Sequence, residues 1–414
     1  PSPAPAPSSG AAPTPGGDTP FLIAGTGRRY ATMAQALAAA VSGDTIKVLW
    51  NSQPYVIAWD GSRSSGCDPR GSVSQPQLTI EWETPGMPAT FDLSAIPNCI
   101  GVFEMGTACT DLTIRGIRAI GSQRAYCGSS GGNCFISVSS GWPYSSASPR
   151  YTLTLEYCGM YKWSNGVFSG GNHNGTINMR YCVVENCQGG EGLSHGSYVS
   201  SVDTLNVLGC VFRTTPGGIT DSGSGALLKT RAKNNNIFGS LFDGRGGCNR
   251  ALELDNGGVA RVEGNVFMRA ADPSNPNQVI RYAAAQRSAS DPNFINDGRT
   301  HSLTLRQNTL KNFDGLNSRV LQVDQPVDAS GAPMAVPTVV SGNLVAGVAA
   351  GADIIARGAQ PSDNLEVPLG SIDGNGRYSG SPVNGPGSFA QYEFAGDYTP
   401  PRARSDNILG AFGA

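Results

Sequence analysis

Three similar windows in the middle of the chain constrain the fold more than any other feature. They read GSYVSSVDTLNVLGCVF at Gly196–Phe212, ALLKTRAKNNNIFGSLF at Ala226–Phe242 and ALELDNGGVARVEGNVF at Ala251–Phe267, beginning 30 and then 25 residues apart. A repeat of about 20–50 residues is typical of stacked, solenoid folds. Each window ends in one phrase: an apolar residue, any residue, Gly, a small polar residue or Cys, an apolar residue and Phe.

This closing phrase continues on both sides of the windows. It aligns seven positions that could stack as a ladder, one in each coil: Cys158, Cys182, Cys210, Ser240, Asn265, Asn308 and Asn343. The alternation of apolar residues around them is the period-2 pattern of strands with one buried face. Because no amphipathic helix lies between the windows, the sequence predicts an all-β fold, a right-handed parallel β-helix.

The N-terminal region differs from the repeats. Residues 1–20 are rich in Pro, Ala, Ser and Gly, which predicts a flexible tether. Apolar residues spaced i, i+3, i+4, i+7 and i+8 from Met33 predict one helix over about 32–42, with Thr32 as N-cap and Gly43 as the stop. An open solenoid end exposes strand edges, so this α-helix is expected to cap it.

Two long segments interrupt the repeats, and a third closes the chain. Residues 121–150 predict a Gly/Ser-rich loop, and residues 271–300 predict a second insertion. The pattern then dissolves into Gly and Pro, so an irregular tail is expected over about 355–414, with Asp406–Gly413 packed on the last coil. Residues 21–414 are therefore interpreted as one domain.

Composition excludes several classes of function. Charged residues make up 14% of the chain and the net charge is −2, so no basic field exists to bind nucleic acid. No apolar run of 18 residues occurs, which argues against a transmembrane segment. The tether and the ten cysteines favour an exported protein that is secreted, periplasmic or on the cell surface. We expect a monomer.

The cysteines support two separate interpretations. Cys127 and Cys134 flank GSSGGN, a loop short enough for a disulfide to close. Cys158, Cys182 and Cys210 are interpreted as reduced thiols stacked in the core. A zinc site is not favoured, because the chain has no Cys-x-x-Cys motif and only three histidines.

Charged residues are scarce, yet several fall on one predicted face of three consecutive coils. Strand alternation turns their side chains outward, where they would line a groove suited to a linear polymer. The candidate catalytic residues are His195, Tyr198, Lys229, Arg231, Glu253 and Asp255, and Arg250, Arg281 and Tyr282 are candidate substrate-binding residues. A solvated face of surface ion pairs is the alternative, and such pairs contribute only about 0–1 kcal/mol.

Two enzyme mechanisms fit this set. In a lyase acting on an acidic polysaccharide, Arg231 or Lys229 would neutralise a uronate carboxylate, and Tyr198, His195 or Lys229 would take the adjacent proton. In a glycoside hydrolase, Glu253 and Asp255 would act as paired carboxylates. The neighbouring cations suit a base or nucleophile better than an acid, so hydrolysis ranks second. Non-catalytic polysaccharide binding is the third interpretation. Lys229 and Arg231 are expected to be exposed, so their replacement should abolish activity with little loss of stability.

The chain also resembles a known family. The Gly-Asp-Thr-Ile phrase at Gly43–Ile46, the Gly-Asn-x-Phe rung at Gly264–Phe267 and the Gly-Ala-Phe phrase at Gly410–Phe412 resemble right-handed β-helix proteins of the pectate lyase superfamily. The resemblance implies a bacterial, carbohydrate-active enzyme, and it allows Ca²⁺ as a cofactor, although no metal ligands are assigned here.

A weaker likeness connects Lys229–Arg231 with the chondroitinase B and alginate lyase branch. In that branch a Lys on one coil and an Arg on the next act as base and acid. Here Arg231 stands nearest the position of that Lys, and Asp255 falls where the Arg would be. The pair is not preserved, so the family mechanism does not transfer unchanged.

Overall fold

The computed structural model describes most of the chain between residues 18 and 403. The described residues are 18–56, 71–95, 101–122, 134–138, 150–172, 174–187, 194–218, 225–269, 278–291, 294–312, 320–347, 355–356, 364–367, 371–372, 379, 392–393, 397–400 and 402–403. Cys127 of the predicted disulfide, the segment Asp406–Gly413 and residues 1–17 of the predicted tether lie outside them.

Three long β-sheets, named A, B and C here, form the walls of the fold. Sheet A contains Phe21–Ile23, Arg28–Tyr30, Thr45–Val48, Gln77–Trp82, Asp111–Arg115, Tyr151–Glu156, Gly175–Arg180, Thr204–Leu208, Asn234–Phe238, Val259–Glu263, Ser302–Arg306 and Thr338–Ser341. Sheet B contains Tyr55–Val56, Ala89–Asp92, Ile117–Ile120, Gly159–Tyr161, Val183–Glu185, Val211–Arg213, Leu241–Gly244, Val266–Arg269, Thr309–Asn312, Leu344–Ala346 and Leu365–Val367. Sheet C contains Gly71–Val73, Phe103–Met105, Cys134–Val138, Asn165–Asn172, Ser197–Ser201, Leu228–Thr230, Leu252–Leu254, Ile280–Tyr282, Leu321–Val323 and Ile355–Ala356.

The chain visits the three walls in the order A, B, C and then begins the next coil. Strands of successive coils lie side by side and pair in parallel, as Thr204–Leu208 does with Asn234–Phe238. At the N-terminal edge of sheet A, the strand Phe21–Ile23 pairs antiparallel with both of its neighbours. The arrangement confirms the predicted all-β, parallel β-helix. Within the described residues, no helix has the length and apolar character needed to cross a bilayer.

The interior is filled by side chains that alternate along each strand. In Thr204–Leu208, Leu205 and Val207 are buried and the other three residues are half-buried. On the inner side of sheet B, Phe242 stacks between Phe212 and Phe267 with ring centroids 5.0 Å and 4.7 Å apart. All three rings are fully buried, so the Phe that closes each of the three windows points into the core.

In the seven coils that carry the predicted ladder, turns of two residues connect sheet A to sheet B, and the second residue of each turn forms the ladder. The first residue has a positive φ, 67° at Gly264 and 57° at Tyr181, a conformation that Gly adopts without strain. The Oδ1 atom of Asn308 accepts the backbone N–H of Asn265 at 2.9 Å, and Asn343 does the same for Asn308. Each rung therefore satisfies the buried amide of the coil before it.

The ladder extends beyond the predicted positions in one direction and changes chemistry in the other. Asn364 accepts the N–H of Asn343 at 2.9 Å and adds a rung that the sequence pattern did not include. Toward the N-terminus, Cys158, Cys182 and Cys210 occupy the same position as fully buried free thiols. The interpretation of these three residues as reduced core thiols is confirmed.

The N-terminal helix is present but shorter than predicted. It spans Met33–Ala39, and Thr32 caps it through a reciprocal capping box with Gln35. The prediction of helix up to about residue 42 is wrong, because Ala40 is extended. The Asp44 carboxylate accepts the N–H of Val41 at 2.8 Å and holds this segment outside the helix.

Two segments predicted as loops contain strands of sheet C. Cys134–Val138 lies within the predicted 121–150 loop and pairs in parallel with both neighbouring coils. Ile280–Tyr282 lies within the predicted 271–300 insertion and is followed by a short 3-10 helix, Ala284–Gln286. Each of these strands is the sheet C strand of its own coil. Their Gly-, Ser- and Pro-rich surroundings hide the strand pattern in the sequence.

The predicted irregular tail continues the coils and then crosses sheet B. Leu365–Val367 is a strand of that sheet, and a separate antiparallel pair joins Tyr392–Glu393 to Arg402–Ala403. Between the two strands of this antiparallel pair, Asp397 forms an ion pair with Arg213 at 2.8 Å. The guanidinium of Arg118 lies 4.4 Å from the ring centroid of Tyr398. Asp397 and Tyr398 therefore contact the middle coils.

Candidate functional site on the outer face of sheet C

One row of outward side chains crosses four consecutive strands of sheet C. Strand register places Tyr198 beside Lys229, Lys229 beside Glu253, and Glu253 beside Arg281. The inward neighbours are apolar or small and fill the core, so alternation along each strand turns these four outward. The structure thus brings together residues that lie more than 80 positions apart in the chain.

A second row follows immediately after the strands. The N–H groups of Arg231, Asp255 and Asp324 each bond to the preceding coil at 2.9 Å. Asp324 was not among the predicted site residues. It follows Leu-Gln-Val as Asp255 follows Leu-Glu-Leu, and that shared phrase is the signal that could have identified it.

Ion pairs link the two rows. Both Lys229 Nζ and Arg231 Nε reach the Oδ2 atom of Asp255, at 3.3 Å and 3.0 Å. Lys229 Nζ also lies 3.7 Å from Glu253, and Arg250 lies 3.1 Å from the other oxygen of Glu253. Each of these carboxylates therefore has two cationic partners.

The charged side chains are more buried than predicted. Lys229 and Arg231 are 17% and 16% exposed, and Glu253 and Asp255 are 8% and 7% exposed. The expectation that both cations are exposed is wrong, because they lie against carboxylates of the next coil. This geometry also differs from a fully solvated face of surface pairs.

Tyr198 is the half-buried aromatic member of the cluster. Its ring packs between Phe168 and His195, with centroids 5.7 Å and 5.5 Å away. The guanidinium carbon of Arg231 lies 5.5 Å from the centre of the same ring. Tyr198 thus stands next to the positive charges while part of its side chain remains accessible.

His195 lies just before the strand that carries Tyr198, as predicted. Its backbone N–H donates to Asn165 Oδ1 at 3.0 Å, and its ring atom Nδ1 accepts the N–H of Ala226 at 3.0 Å. Burial, followed by the nearby charges of Lys229 and Arg231, lowers the pKa of His195 well below its usual value. The imidazole is therefore neutral near pH 7.

The three predicted substrate-binding residues have different positions. Arg250 lies at the edge of the cluster beside Glu253. Arg281 lies on the outer row and pairs with Asp324 at 2.8 Å. Tyr282 is completely buried, and its hydroxyl donates to Gly258 O at 2.5 Å. The prediction that Tyr282 extends the outer face is wrong, because strand alternation turns it toward the core.

A buried ion pair in the 271–300 segment contacts the backbone of the cluster. Arg299 donates to Asp297 through Nε and a terminal nitrogen, at 2.9 Å and 2.8 Å. Arg299 also donates to the carbonyl oxygen of Arg231 at 3.0 Å. The sequence interpretation missed this pair, although Asp297-Gly298-Arg299 concentrates charge in a chain with few charged residues.

The carboxylates of this face do not form a suitable set of calcium ligands. Glu253, Asp255 and Asp324 all bond to Lys or Arg nitrogens, whereas Ca²⁺ requires six to eight oxygen ligands. Across the described residues, no group of three or more His, Cys, Asp or Glu side chains is arranged to hold a metal ion.

Comparison of the chain with protein-family models, curated proteins and solved structures found no match. The resemblance to the pectate lyase superfamily therefore rests on the sequence phrases given above and remains a prediction. Any functional conclusion depends on the geometry of the cluster.

Proposed function

We propose that the protein is an exported, monomeric lyase that cleaves a uronate-containing polysaccharide by β-elimination on the outer face of sheet C. The observation that carries this proposal is the position of Tyr198, half-buried beside Lys229 with Arg231 near its ring. β-Elimination needs a proton acceptor and a positive charge close to the sugar carboxylate. Tyr198 and the two cations supply both within neighbouring coils.

The cations would bind and activate the sugar. A positive charge beside a uronate carboxylate makes the adjacent C–H bond easier to ionise. Arg231 suits this role because a guanidinium does not lose its proton in proteins. Lys229 has two carboxylate partners within 3.7 Å, which favours charge neutralisation over proton abstraction. The incoming carboxylate would compete with Asp255 for both cations.

Tyr198 would then move the proton. Its phenolate oxygen takes the proton from the carbon next to the carboxylate, and the electron pair forms a carbon–carbon double bond. The bond from the ring to the glycosidic oxygen breaks, and that oxygen leaves with the bonding electrons. The phenol returns its proton to the leaving oxygen, so atoms and charge balance.

Hydrolysis is the second candidate, because Glu253 and Asp255 project from the same edge of sheet C. A hydrolase of this type needs one carboxyl that donates a proton to the leaving oxygen. Both carboxylates instead face two cationic donors each. This arrangement favours elimination over hydrolysis.

A panel of acidic and neutral polysaccharides tests the proposal. We expect cleavage of an acidic polymer, with new reducing ends and the ultraviolet absorbance of an unsaturated uronate. Reducing ends without that absorbance would replace the lyase by a hydrolase. Binding without either signal would leave a non-catalytic polysaccharide-binding protein.

Replacement of the proposed base sharpens this test. Tyr198→Phe should lower kcat by about 100-fold or more, the usual contribution of general acid–base catalysis. Tyr161→Phe is the matched control, because Tyr161 is also half-buried but lies on sheet B. Equal activity of the two variants would contradict the assignment of Tyr198.

A further inference from the structure

Two buried contacts hold His195, one at its backbone and one at its ring. On the backbone side, Asn165 Oδ1 accepts the N–H of His195 at 3.0 Å. On the ring side, the backbone N–H of Ala226 in the next coil donates to Nδ1 at 3.0 Å. Both contacts are buried, so neither partner exchanges easily with water.

The ring contact determines the tautomer. A backbone N–H can only donate, so Nδ1 must present a lone pair and carry no proton. A neutral imidazole with a bare Nδ1 holds its proton on Nε2. The ring is kept neutral by burial and by the neighbouring charges of Lys229, Arg231 and Arg250. His195 therefore presents an N–H donor at Nε2 and has no lone pair there to act as a base.

We propose that His195 is a fixed hydrogen-bond donor for an anionic oxygen of the substrate, and that Gly225 is the positioning residue that makes room for it. The proposal rests on the lyase function argued above. It assigns His195 the role of hydrogen-bond donor in place of the proton acceptor predicted from the sequence. The chemical class of the ligand is a sugar carboxylate, whose oxygens gain negative charge when the neighbouring carbon loses its proton. A donor fixed in advance at such an oxygen stabilises the transition state more than the ground state.

Gly225 cannot carry a side chain in this arrangement. An added Cβ would lie 2.3 Å from His195 Nδ1 and 2.1 Å from the carbonyl oxygen of Ser194. Such distances would displace the imidazole or the backbone beside it. Gly25 offers a matched control, because a Cβ there meets no atom within 4 Å.

A second histidine provides an internal reference. His301 Nδ1 accepts the N–H of Gly258 at 3.3 Å, so the same reasoning assigns its proton to Nε2. His301 packs against Tyr282, with ring centroids 6.4 Å apart. Because Tyr282 is an inward residue, His301 should report the same tautomer without responding to a ligand on the outer face.

Nitrogen-15 NMR of the full chain labelled at histidine tests the tautomer without any activity assay. Near pH 7 we expect His195 to show a protonated Nε2 and an unprotonated Nδ1, assigned by loss of its signals in His195→Gln. Addition of a short uronate oligomer should shift the Nε2 signal of His195 and leave that of His301 in place. A proton on Nδ1, an imidazolium near pH 7 or an unshifted His195 signal in the presence of bound oligomer would overturn the proposal.

Kinetics on the identified substrate test the role. His195→Ala should lower kcat by about 100-fold, the usual effect of losing one such donor, and His195→Gln should recover part of the rate through its amide N–H. Gly225→Ala should resemble His195→Ala while circular dichroism stays native, and Gly25→Ala should resemble the unaltered protein. If His195→Gln is no better than His195→Ala, the donor role is wrong.

The two levels of the proposal fail in different ways. If no polysaccharide is cleaved, the lyase function fails, while the tautomer experiment still decides whether His195 is a fixed donor. If cleavage occurs but the tautomer is reversed, only the donor assignment falls.

Discussion

Two stacks of equivalent residues run along the same coils and use opposite chemistry. In the interior, Asn265, Asn308 and Asn343 repeat one amide at one position, and buried phenyl rings repeat beside them. On the outer face of sheet C, the equivalent positions hold Tyr198 and then three residues of alternating charge, which are Lys229, Glu253 and Arg281. A neutral group can stack on its own copy, because an amide both donates and accepts. A charged group cannot, since like charges directly opposite destabilise a sheet.

Alternation of charge alone does not mark a site. On the outer face of sheet A, Arg115 lies 2.6 Å from Glu81 and 2.8 Å from Glu156, and Arg180 lies 2.9 Å from Glu156. This ladder joins side chains of neighbouring strands in single file. The sheet C cluster differs in burial, because Lys229 and Arg231 are 17% and 16% exposed, whereas Arg115 and Arg180 are 37% and 42% exposed. Tyr198 also packs against Arg231, and His195 packs against Tyr198. We interpret the sheet A ladder as structural.

The largest effect should come from the interior stack. Phe267→Ala is expected to lower the free energy of unfolding by about 3–5 kcal/mol, because it removes a buried ring and leaves a cavity beneath Phe242. Denaturant unfolding followed by circular dichroism measures this loss. Phe238→Ala is the control, since Phe238 is half-buried on the outer side of sheet A. A similar loss in both variants would contradict the distinction between inner and outer positions.

The amide ladder should give the next largest effect. The side-chain nitrogen of Asn308 donates to Val262 O, and its oxygen accepts from the backbone of Asn265, each at 2.9 Å. Asn308→Ala should therefore lower the free energy of unfolding by about 2–3 kcal/mol, because buried polar groups lose their partners.

Asn206→Ala is the matched control for the ladder. Asn206 also belongs to an amide stack, with a 2.8 Å bond to Asn178, but it is half-exposed on sheet A. Water can replace its bonds, so we expect a loss below about 1 kcal/mol. If Asn206→Ala lowers the free energy of unfolding as much as Asn308→Ala does, burial is not the reason that the interior ladder stabilises the fold.

The interior was predictable from sequence to a greater extent than the outer face. Period-2 alternation and the Gly-x phrase are local patterns, and they identified both the fold and the ladder up to Asn343. The outer face depends on which coils are neighbours and on contacts between them, which no local pattern contains. For that reason the sequence gave the wrong exposure for Lys229. The errors at Tyr282 and Asp324 have another cause, because local patterns did contain them: alternation within Ile280–Tyr282 turns Tyr282 inward, and Asp324 follows the same phrase as Asp255.

The charged cluster should show a smaller effect on stability and a larger one on activity. Arg231→Ala removes one of two cations from Asp255, so the loss of unfolding free energy should be about 1–2 kcal/mol, between the values for exposed and buried pairs. The same change should reduce cleavage by about 100-fold or more, because the sugar carboxylate loses its neutraliser. Arg180→Ala, from the sheet A ladder, should leave cleavage unchanged. If Arg180→Ala impairs cleavage as strongly, the distinction between the two charged rows is wrong.

The smallest effect concerns the two histidines, one beside the outer cluster and one packed against an inward tyrosine. Burial is the main cause that lowers the pKa of His195 well below its usual value and that of His301 to about 4. The unfolded chain therefore binds protons that the folded protein does not, and stability must rise with pH below the unfolded pKa of about 6.5. Going from about pH 7 to about pH 6, each histidine should remove about 0.7 kcal/mol of unfolding free energy, since only the unfolded state titrates there. His301→Gln should remove about 0.7 kcal/mol from this change between about pH 7 and about pH 6, and His195→Gln should have the same effect. A slope that neither variant changes would show that both histidines titrate in the folded protein as they do in the unfolded chain.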